Sequence, residues 1–354
     1  FINKTPASAS NRRTFTFSVW VKRGKLGVQQ ALLNAGTSQA AGDGGFFGIR
    51  FRTNDDLNIT TYNTNILSTT RHFRDPSAWY HLVFAVDTTL TASQVKIYVN
   101  GVLDSEGGTL SQNTDLAVNN AVAHEIGRTS WNNSDYFDGH LAEIHFVDGQ
   151  ALDASSFGEF DQYGIWNPKK YTGTHGTNGY YLDFSDNTST TTLGADASAN
   201  SNNWTLTTHS VASGFYNDST LDSPTNYQAG SGNNGGNYAT LNALDKPTVL
   251  PLGNANLRVK NHTESAWQLC RATQNVSSGK FYWEIKIEAI NNNMDFGVAD
   301  QYTHSYFTGG NYAHNIGYGS LSNNQIWGVA YDADNGTLDY YLNGSIQNTH
   351  SEIN

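Results

Sequence analysis

Residues 79–101, WYHLVFAVDTTLTASQVKIYVNG, restrict this chain more than any other stretch. Leu82, Phe84 and Val86 alternate with His81, Val83, Ala85 and Asp87, the period of two that sets one group of side chains on one face of a β-strand. A polar turn follows, and Val95, Ile97 and Val99 alternate with Lys96, Tyr98 and Asn100. Asn100 and Gly101 close the second strand, because both tolerate positive φ at little cost. The stretch predicts a long hairpin with one buried face. Residues 327–344, WGVAYDADNGTLDYYLNG, repeat the pattern: Val329 and Tyr331 alternate with Ala330 and Asp332, Asp334-Asn335-Gly336 turn, and Leu338, Tyr340 and Leu342 resume. One hairpin in each half of a 354-residue chain predicts two all-β domains.

Composition points the same way. Charged residues make up 14% of the chain, against roughly 25% in an average soluble domain. Gly (34), Tyr (19) and abundant Asn, Ser and Thr replace them, a mixture that disfavours long helices. The net charge is −11 with no basic cluster, so nucleic-acid binding is set aside. No apolar run is long enough to insert in a membrane as a helix. Cys270 is the only cysteine, which rules out an internal disulfide and fits folding in a reducing cytoplasm or in a bacterium that does not use disulfides here.

In chain order, residues 14–21 (TFTFSVWV), 31–35, 46–52 and 57–62 read as strands bounded by Gly, Asn or Asp turns. After the hairpin come 124–127 (HEIG) and 139–147 (GHLAEIHFV), then a short helix over 153–160 with Asp153 as N-cap, then the strand 180–184 (YYLDF). The order FTFSVWVKRG, WYHLVFAVD, VKIYVNG, IGR, FDGHLAEIHFVDG resembles the laminin-G-like branch of the concanavalin-A-like lectin/glucanase superfamily. The resemblance covers about half of the chain and implies a jelly-roll sandwich of two antiparallel sheets. Residues 186–256 are rich in Asn, Ser, Thr and Gly and read as a solvated, partly ordered connector, with Trp204, Phe215 and Tyr227 as the residues that could pin it across one or both domains. Residues 257–354, with GKFYWEIKI, DFGVAD and GVAYDADNGTLDYYLNG, resemble a SPRY-like β-sandwich that stops before its closing strands. The expected fold is therefore all-β, two antiparallel β-sandwich domains at 1–185 and 257–354 joined by that connector. The strand at 338–342 is expected to leave an open edge, and a chain that opens on Phe1 is expected to be part of a longer protein.

Glucanases of this superfamily use carboxylates in a Glu-x-Asp-x-x-Glu pattern along one strand. Glu143 with Asp148 and Glu159 with Asp161 fail that spacing, so no catalytic residue is assigned and no enzyme activity is expected. No Gly-x-Ser-x-Gly elbow, phosphate loop or His-Glu-x-x-His motif occurs. His72, His81, His124, His140 and His145 lack metal spacing and read as surface or sheet-face residues. Calcium is the one cofactor the resemblance implies, and Asp43, Asp55, Asp56 and Asp138 are its candidate ligands by loop position. The recognition candidates are two aromatic loops. Trp131, Asn133 and Tyr136 lie in one, and Tyr302, Tyr306 and Tyr312 in the other. Tyr offers a rigid amphipathic face while Asn, Ser and Gly supply adaptable hydrogen bonds.

Residues 164–186 (GIWNPKKYTGTHGTNGYYLDFSD) and 193–204 (LGADASANSNNW) are similar to segments of bacteriophage proteins of the marine phage type. The resemblance implies a tail-fibre or other virion-surface adhesin, folded in the host cytoplasm and acting outside it. Its partners would be a host-surface glycan or envelope component and other virion proteins, most simply in a homo-oligomer. A structural virion protein, such as a capsid decoration, and a polysaccharide-cleaving enzyme are the alternatives.

Overall fold

The computed structural model describes residues 1–38, 45–62, 64–212, 217–220, 223–225, 237–260, 267–290, 295–299, 306–307, 315–316 and 321–351. The chain divides into two compact units, Phe1–Tyr238 and Ala239–Asn354.

The first unit contains β1 (Ile2–Lys4), β2 (Thr14–Arg23), β3 (Gln30–Ala35), β4 (Phe47–Phe51), β5 (Leu57–Thr61), β6 (Thr64–Ser68), β7 (Trp79–Asp87), β8 (Val95–Val99), β9 (Val102–Gly107), β10 (His124–Ile126), β11 (Gly139–Asp148), β12 (Gly158–Phe160), β13 (Trp166–Pro168), β14 (Tyr180–Leu182) and β15 (Thr205–Leu206). They form a seven-stranded sheet, β15-β1-β10-β3-β4-β5-β6, and a six-stranded sheet, β14-β11-β2-β7-β8-β9, with β12 and β13 as a separate hairpin. The two large sheets make an antiparallel sandwich of jelly-roll type, the all-β class expected from the alternation.

Register follows from the apolar pattern. Leu82 pairs with Val99, Phe84 with Ile97 and Val86 with Val95, so the three apolar pairs share one face. Phe15, Phe17, Val19 and Val21 of β2 line up beside them and meet Leu33, Phe47, Ile49, Leu57 and Ile59 of the other sheet in one core. Phe15 sets its ring edge-on to Phe47 at 5.6 Å. Asn100 and Gly101 turn β8 into β9 with φ of 48° and 82°, the positive values that the sequence at this turn anticipates.

The expectation of one buried face needs correction. His81, Val83 and Ala85, on the side away from the core, are at most 5% exposed. Residues 149–175 leave β11 and fold back over this side, where Ala154 and Phe157 pack on Val83 and Val147 among Tyr98, Leu152, Trp166 and Tyr171. The expected helix is shorter than predicted: a 3-10 turn, Ala154–Ser156, capped by Asp153 Oδ1 accepting from Ser155 N at 3.0 Å, with Phe157 already ending it. A second helical turn, Thr190–Leu193, was not anticipated; Ser189 and Thr192 close a reciprocal capping box around it.

That helical turn belongs to the Asn/Ser/Thr-rich stretch, and much of the stretch folds with the first unit. Leu206 and Thr205 pair with Ile2 and Asn3. Trp204 is 4% exposed and packs edge-on against Tyr180 at 4.9 Å. Phe215 and Tyr227 lie outside the described residues.

In the second unit, β16 (Leu252–Gly253) pairs with β17 (Arg258–Val259), β18 (Trp267–Gln268) with β21 (Tyr306–Phe307), and β20 (Phe296–Gly297) with β22 (Asn315–Ile316). Its main sheet is β19 (Lys280–Lys286), β23 (Ile326–Asp332), β24 (Thr337–Leu342) and β25 (Ser345–His350), in that spatial order. Trp327, Val329, Leu338 and Tyr340 bury one face of it with Ile287 and Leu321. The open edge expected at 338–342 is absent: Asn343 and Gly344, at φ 49° and 82°, return the chain so that β25 pairs along β24. Cys270 is half-buried, and burial pushes its thiol up to about 11, far from a reactive thiolate. Among the described residues no helix is long and apolar enough to cross a membrane.

If Trp204 anchors residues 190–206 to the sandwich, Trp204→Ala will destabilise the first unit by about 3–5 kcal/mol. Urea unfolding followed by near-UV circular dichroism measures this; a loss under about 0.5 kcal/mol would mean that the segment is held without it.

Candidate functional site

The loop between β10 and β11 is folded by its own polar side chains. Thr129 and Ser134 form an isolated bridge. Asn132 Oδ1 accepts from Ser134 Oγ at 2.7 Å, and Asn133 and Asp135 both take φ of 55°, a conformation that Asn and Asp tolerate better than most residues. Asp135 ties the loop to the sheet: its carboxylate accepts from Gln29 Nε2 at 2.8 Å and Thr129 Oγ1 at 3.0 Å, and its carbonyl from Ala31 N at 2.8 Å. On this base Trp131 is half-buried, Asn133 exposed and Tyr136 53% exposed. Tyr136 meets the ring of Phe1 edge-on at 6.3 Å, and the Arg128 guanidinium lies 3.6 Å from the Phe1 ring centre. Glu125 takes the Arg128 fork through both oxygens and, by that hydrogen bond above all, raises the arginine's pKa. The product is a rigid aromatic surface beside a fixed cation, suited to stacking on a sugar ring.

Trp131, Asn133 and Tyr136 all stand in this loop. Tyr302 and Tyr312 lie outside the described residues, and Tyr306 stands in the short strand β21 of the other unit.

The calcium candidates are organised differently. Asp55 accepts from Gly27 N at 2.7 Å, Arg23 Nη1 at 3.0 Å and Arg74 Nε at 3.1 Å. Burial pushes its carboxyl up, but the Gly27 N–H and the arginines outweigh that and hold it below its usual range. Asp56 is likewise lowered: Arg52 binds both its oxygens and Asn54 Nδ2 donates at 2.9 Å, against an upward push from burial. Asp138 contributes its carbonyl to Gly24 N and Lys25 N at 2.8 and 3.3 Å, while Asp43 lies outside the described residues. A calcium ion at Asp55 or Asp56 would have to displace arginines. Among the described residues no three His, Cys, Asp or Glu side chains are grouped to hold a metal.

The outer side of the six-stranded sheet holds a polar aromatic cluster that sequence reasoning did not assemble. Trp166 Nε1 donates to His81 Nδ1 at 2.9 Å, and His81 Nε2 lies 2.9 Å from Ser18 Oγ. Indole nitrogen can only donate, so Nδ1 is the unprotonated nitrogen and Nε2 carries the hydrogen that Ser18 accepts. This is the opposite of a serine–base pair, in which the imidazole takes the hydroxyl proton. Trp20 stacks on the imidazole at 4.9 Å, while Trp166, near-parallel at 5.9 Å, meets its edge through the Nε1–Nδ1 hydrogen bond, and burial, with His145 adding to it, lowers the histidine's pKa to about 3. Beside it, His145 stacks on Tyr181 at 4.0 Å, Tyr181 donates to Glu143 Oε2 at 2.8 Å, and His175 Nε2 is 3.3 Å from His145 Nδ1. Glu143 is set here by a β-bulge between Ala142 and His145, at φ 48°. At the end of this side, Lys22 Nζ donates to Asn237 Oδ1 at 2.7 Å and Tyr238 O at 2.9 Å.

Three of the carboxylates singled out by proximity in sequence are held by local partners. Asp148 accepts from Asn11 N, Asn119 Nδ2 and Asn178 N. Glu159 is paired with Lys169 at 3.9 Å, and Asp161 Oδ1 accepts from Tyr163 N and Ile165 N in the β12–β13 turn. His81, His124 and His145 are buried rather than surface residues. For His81 and His145 the available signal was a position opposite the core-facing set, where an ordinary solvated face would carry charges, whereas His124 shares its face with the core residue Ile126 two positions on.

Residues 3–156 match the family model described as the concanavalin A-like lectin/glucanases superfamily. No curated protein matches the chain. Among solved structures, a Bacteroides ovatus protein assigned to carbohydrate binding is 16% identical, with 58% of this chain and 54% of that chain covered and a TM-score of 0.37. Domain 4 of the extracellular GH43 arabinanase AbnA from Geobacillus stearothermophilus, in complex with arabinotriose, is 20% identical over 41% of this chain and 65% of its own, TM-score 0.32. The CBM40 of the Ruminococcus gnavus IT-sialidase is 14% identical over 43% and 94%, TM-score 0.32. The chain therefore spans less than two thirds of the first two structures' length.

The buried histidines set an acid limit on the first unit. Burial holds His81 at about 3 and His124 at about 4, while an unfolded histidine takes its proton near pH 6.5. Between those values the unfolded state binds more protons, so stability rises with pH, is complete above about pH 6.5, and falls on acidification by on the order of 1 kcal/mol per pH unit for each residue. The depressed carboxylates Asp55 and Asp56 add their loss only below about pH 4. Urea midpoints taken from pH 7.5 to 4.5 should decline steadily; a flat profile would contradict neutral burial.

Proposed function

We propose that this chain is a non-catalytic glycan-recognition protein on the surface of a bacteriophage virion, of the tail-fibre type, acting on a host-surface glycan or envelope component. The observation that carries the reading is the 129–136 loop. A lectin-like sandwich presents Trp131, Asn133 and an exposed Tyr136 on a turn fixed by Asn132 and Asp135, so little ordering entropy is lost when a sugar binds. The protonation of His81 toward Ser18 supports a role without nucleophilic catalysis. The marine-phage resemblance of residues 164–186 and 193–204 supports the virion setting.

Single sites of this kind bind sugars weakly, because many contacts only replace hydrogen bonds to water. Several copies in a homo-oligomer raise the effective concentration of later contacts. A second reading, a structural virion protein, draws on the β12–β13 hairpin, where Phe160, Tyr163 and Ile165 are 53%, 79% and 59% exposed and offer an apolar tip for another virion protein.

The test is adsorption to host cells by particles carrying Trp131→Ala with Tyr136→Ala. The expected result is normal assembly with adsorption reduced about tenfold or more. Unchanged adsorption would remove this loop from recognition, and failed assembly would favour the structural role.

A further inference from the structure

The second unit carries an aromatic surface on the side of its main sheet turned away from the core. Lys280, Tyr282 and Glu284 alternate with Trp283 and Ile285, which pack on the core, and across the sheet Glu284 pairs with Gly328 and Gly328 with Tyr341. In the next row Tyr282 pairs with Ala330, Ala330 with Asp339 and Asp339 with Thr349. Gly328 and Ala330 make a low floor between the two tyrosines. Tyr282 leans diagonally over Gly328: a Cβ on that glycine would come within 2.5 Å of the tyrosine hydroxyl and 3.0–3.1 Å of Cε2 and Cζ. The tyrosine side chain nevertheless stays 61% exposed.

A diagonal aromatic covering a glycine is also a way of stabilising a sheet, and that accounts for where the ring lies. It does not account for the carboxylates held nearby. Tyr282 Oη donates to Glu284 Oε1 at 2.9 Å, and Thr349 Oγ1 donates to Asp339 Oδ1 at 2.6 Å. Each carboxylate is oriented by one hydroxyl and keeps further acceptor capacity. An exposed ring with Glu284 at its hydroxyl and Asp339 two strands away on the same sheet face matches a ligand with an apolar C–H face and hydroxyl donors around its rim. A ligand that is itself anionic would meet two like charges.

We propose that this sheet face is a second glycan site, taking a neutral pyranose stacked on Tyr282 with its hydroxyls donated to Glu284 and Asp339. The inference rests on the glycan reading of the chain and adds a subsite and a sugar class to it. Two unlike sites on one chain would let it hold separate residues of one polysaccharide, or two strands of a glycan layer.

The test is isothermal titration of the intact chain with cellotriose, maltotriose and mannotriose as neutral probes and trigalacturonate as the acidic one. Tyr282→Leu fills the space over Gly328 without a π face, Tyr282→Phe keeps the ring without its hydroxyl, and Gly328→Ala displaces an intact ring. At least one neutral probe should bind, with affinity about tenfold weaker in Tyr282→Leu and Gly328→Ala and little changed in Tyr282→Phe. Thermal melting of each variant shows that the fold is kept. Neutral binding that ignores all three substitutions but is lost in Trp131→Ala with Tyr136→Ala would overturn this site and leave the glycan reading standing. Preference for trigalacturonate would overturn the sugar class. Binding of no probe would overturn both.

Discussion

The pairing of β2 with β7 is the interaction on which the first unit depends. Nine consecutive residue pairs, from Thr14 with Asp87 to Lys22 with Trp79, fix the register of the six-stranded sheet. Because side chains alternate, a slip of one residue would exchange Phe15, Phe17, Val19 and Val21 with Thr16, Ser18, Trp20 and Lys22. The first set fills the core and the second builds the outer cluster around His81. One register therefore serves both: the same backbone pairing that closes the sandwich also brings Ser18 within reach of His81 and sets Trp20 against its ring.

What could be read from the sequence follows from how local each cause is. Period-two alternation, Asn-Gly turns and the Asp153 cap act over a few residues, and the hairpins, the turn at Asn100 and the all-β class follow from them. The cover over Val83 and Val147 is contributed by residues more than fifty positions away in sequence from β7, and nothing in the alternation announces it. Composition misled at 190–206 because Asn, Ser and Thr there make capping and turn hydrogen bonds instead of meeting only solvent, while Trp204 supplies the apolar anchor. The aspartates at 55 and 56 look like calcium ligands as an isolated pair. Only the fold brings Arg23 and Arg74 to the first, and only the closed turn sets Arg52 on the second. The edge expected at 338–342 is covered by residues 345–350, which carry almost no apolar signal because nearly all are exposed.

In the proposed role, recognition falls to the exposed parts that are nonetheless rigid. In the 129–136 loop, side-chain amides and carboxylates replace the missing sheet hydrogen bonds and hold Tyr136 outward. On the second unit a glycine and an alanine make room for Tyr282. In both places polar groups orient an aromatic face before any ligand arrives, a preorganisation suited to weak, repeated contacts with a polyhydroxylated surface. The outer cluster of the first unit has different chemistry: its histidine is neutral, stacked on the Trp20 indole and already hydrogen-bonded through both nitrogens.

The central claim is retention of a glycan without its turnover. It is tested most directly by incubating the purified chain with surface polysaccharide from host cells, then measuring co-sedimentation and newly formed reducing ends in the same sample. The account predicts that the protein sediments with the polysaccharide while reducing ends stay at the level of the protein-free control. A rise in reducing ends, or protein left wholly in the supernatant, would contradict it.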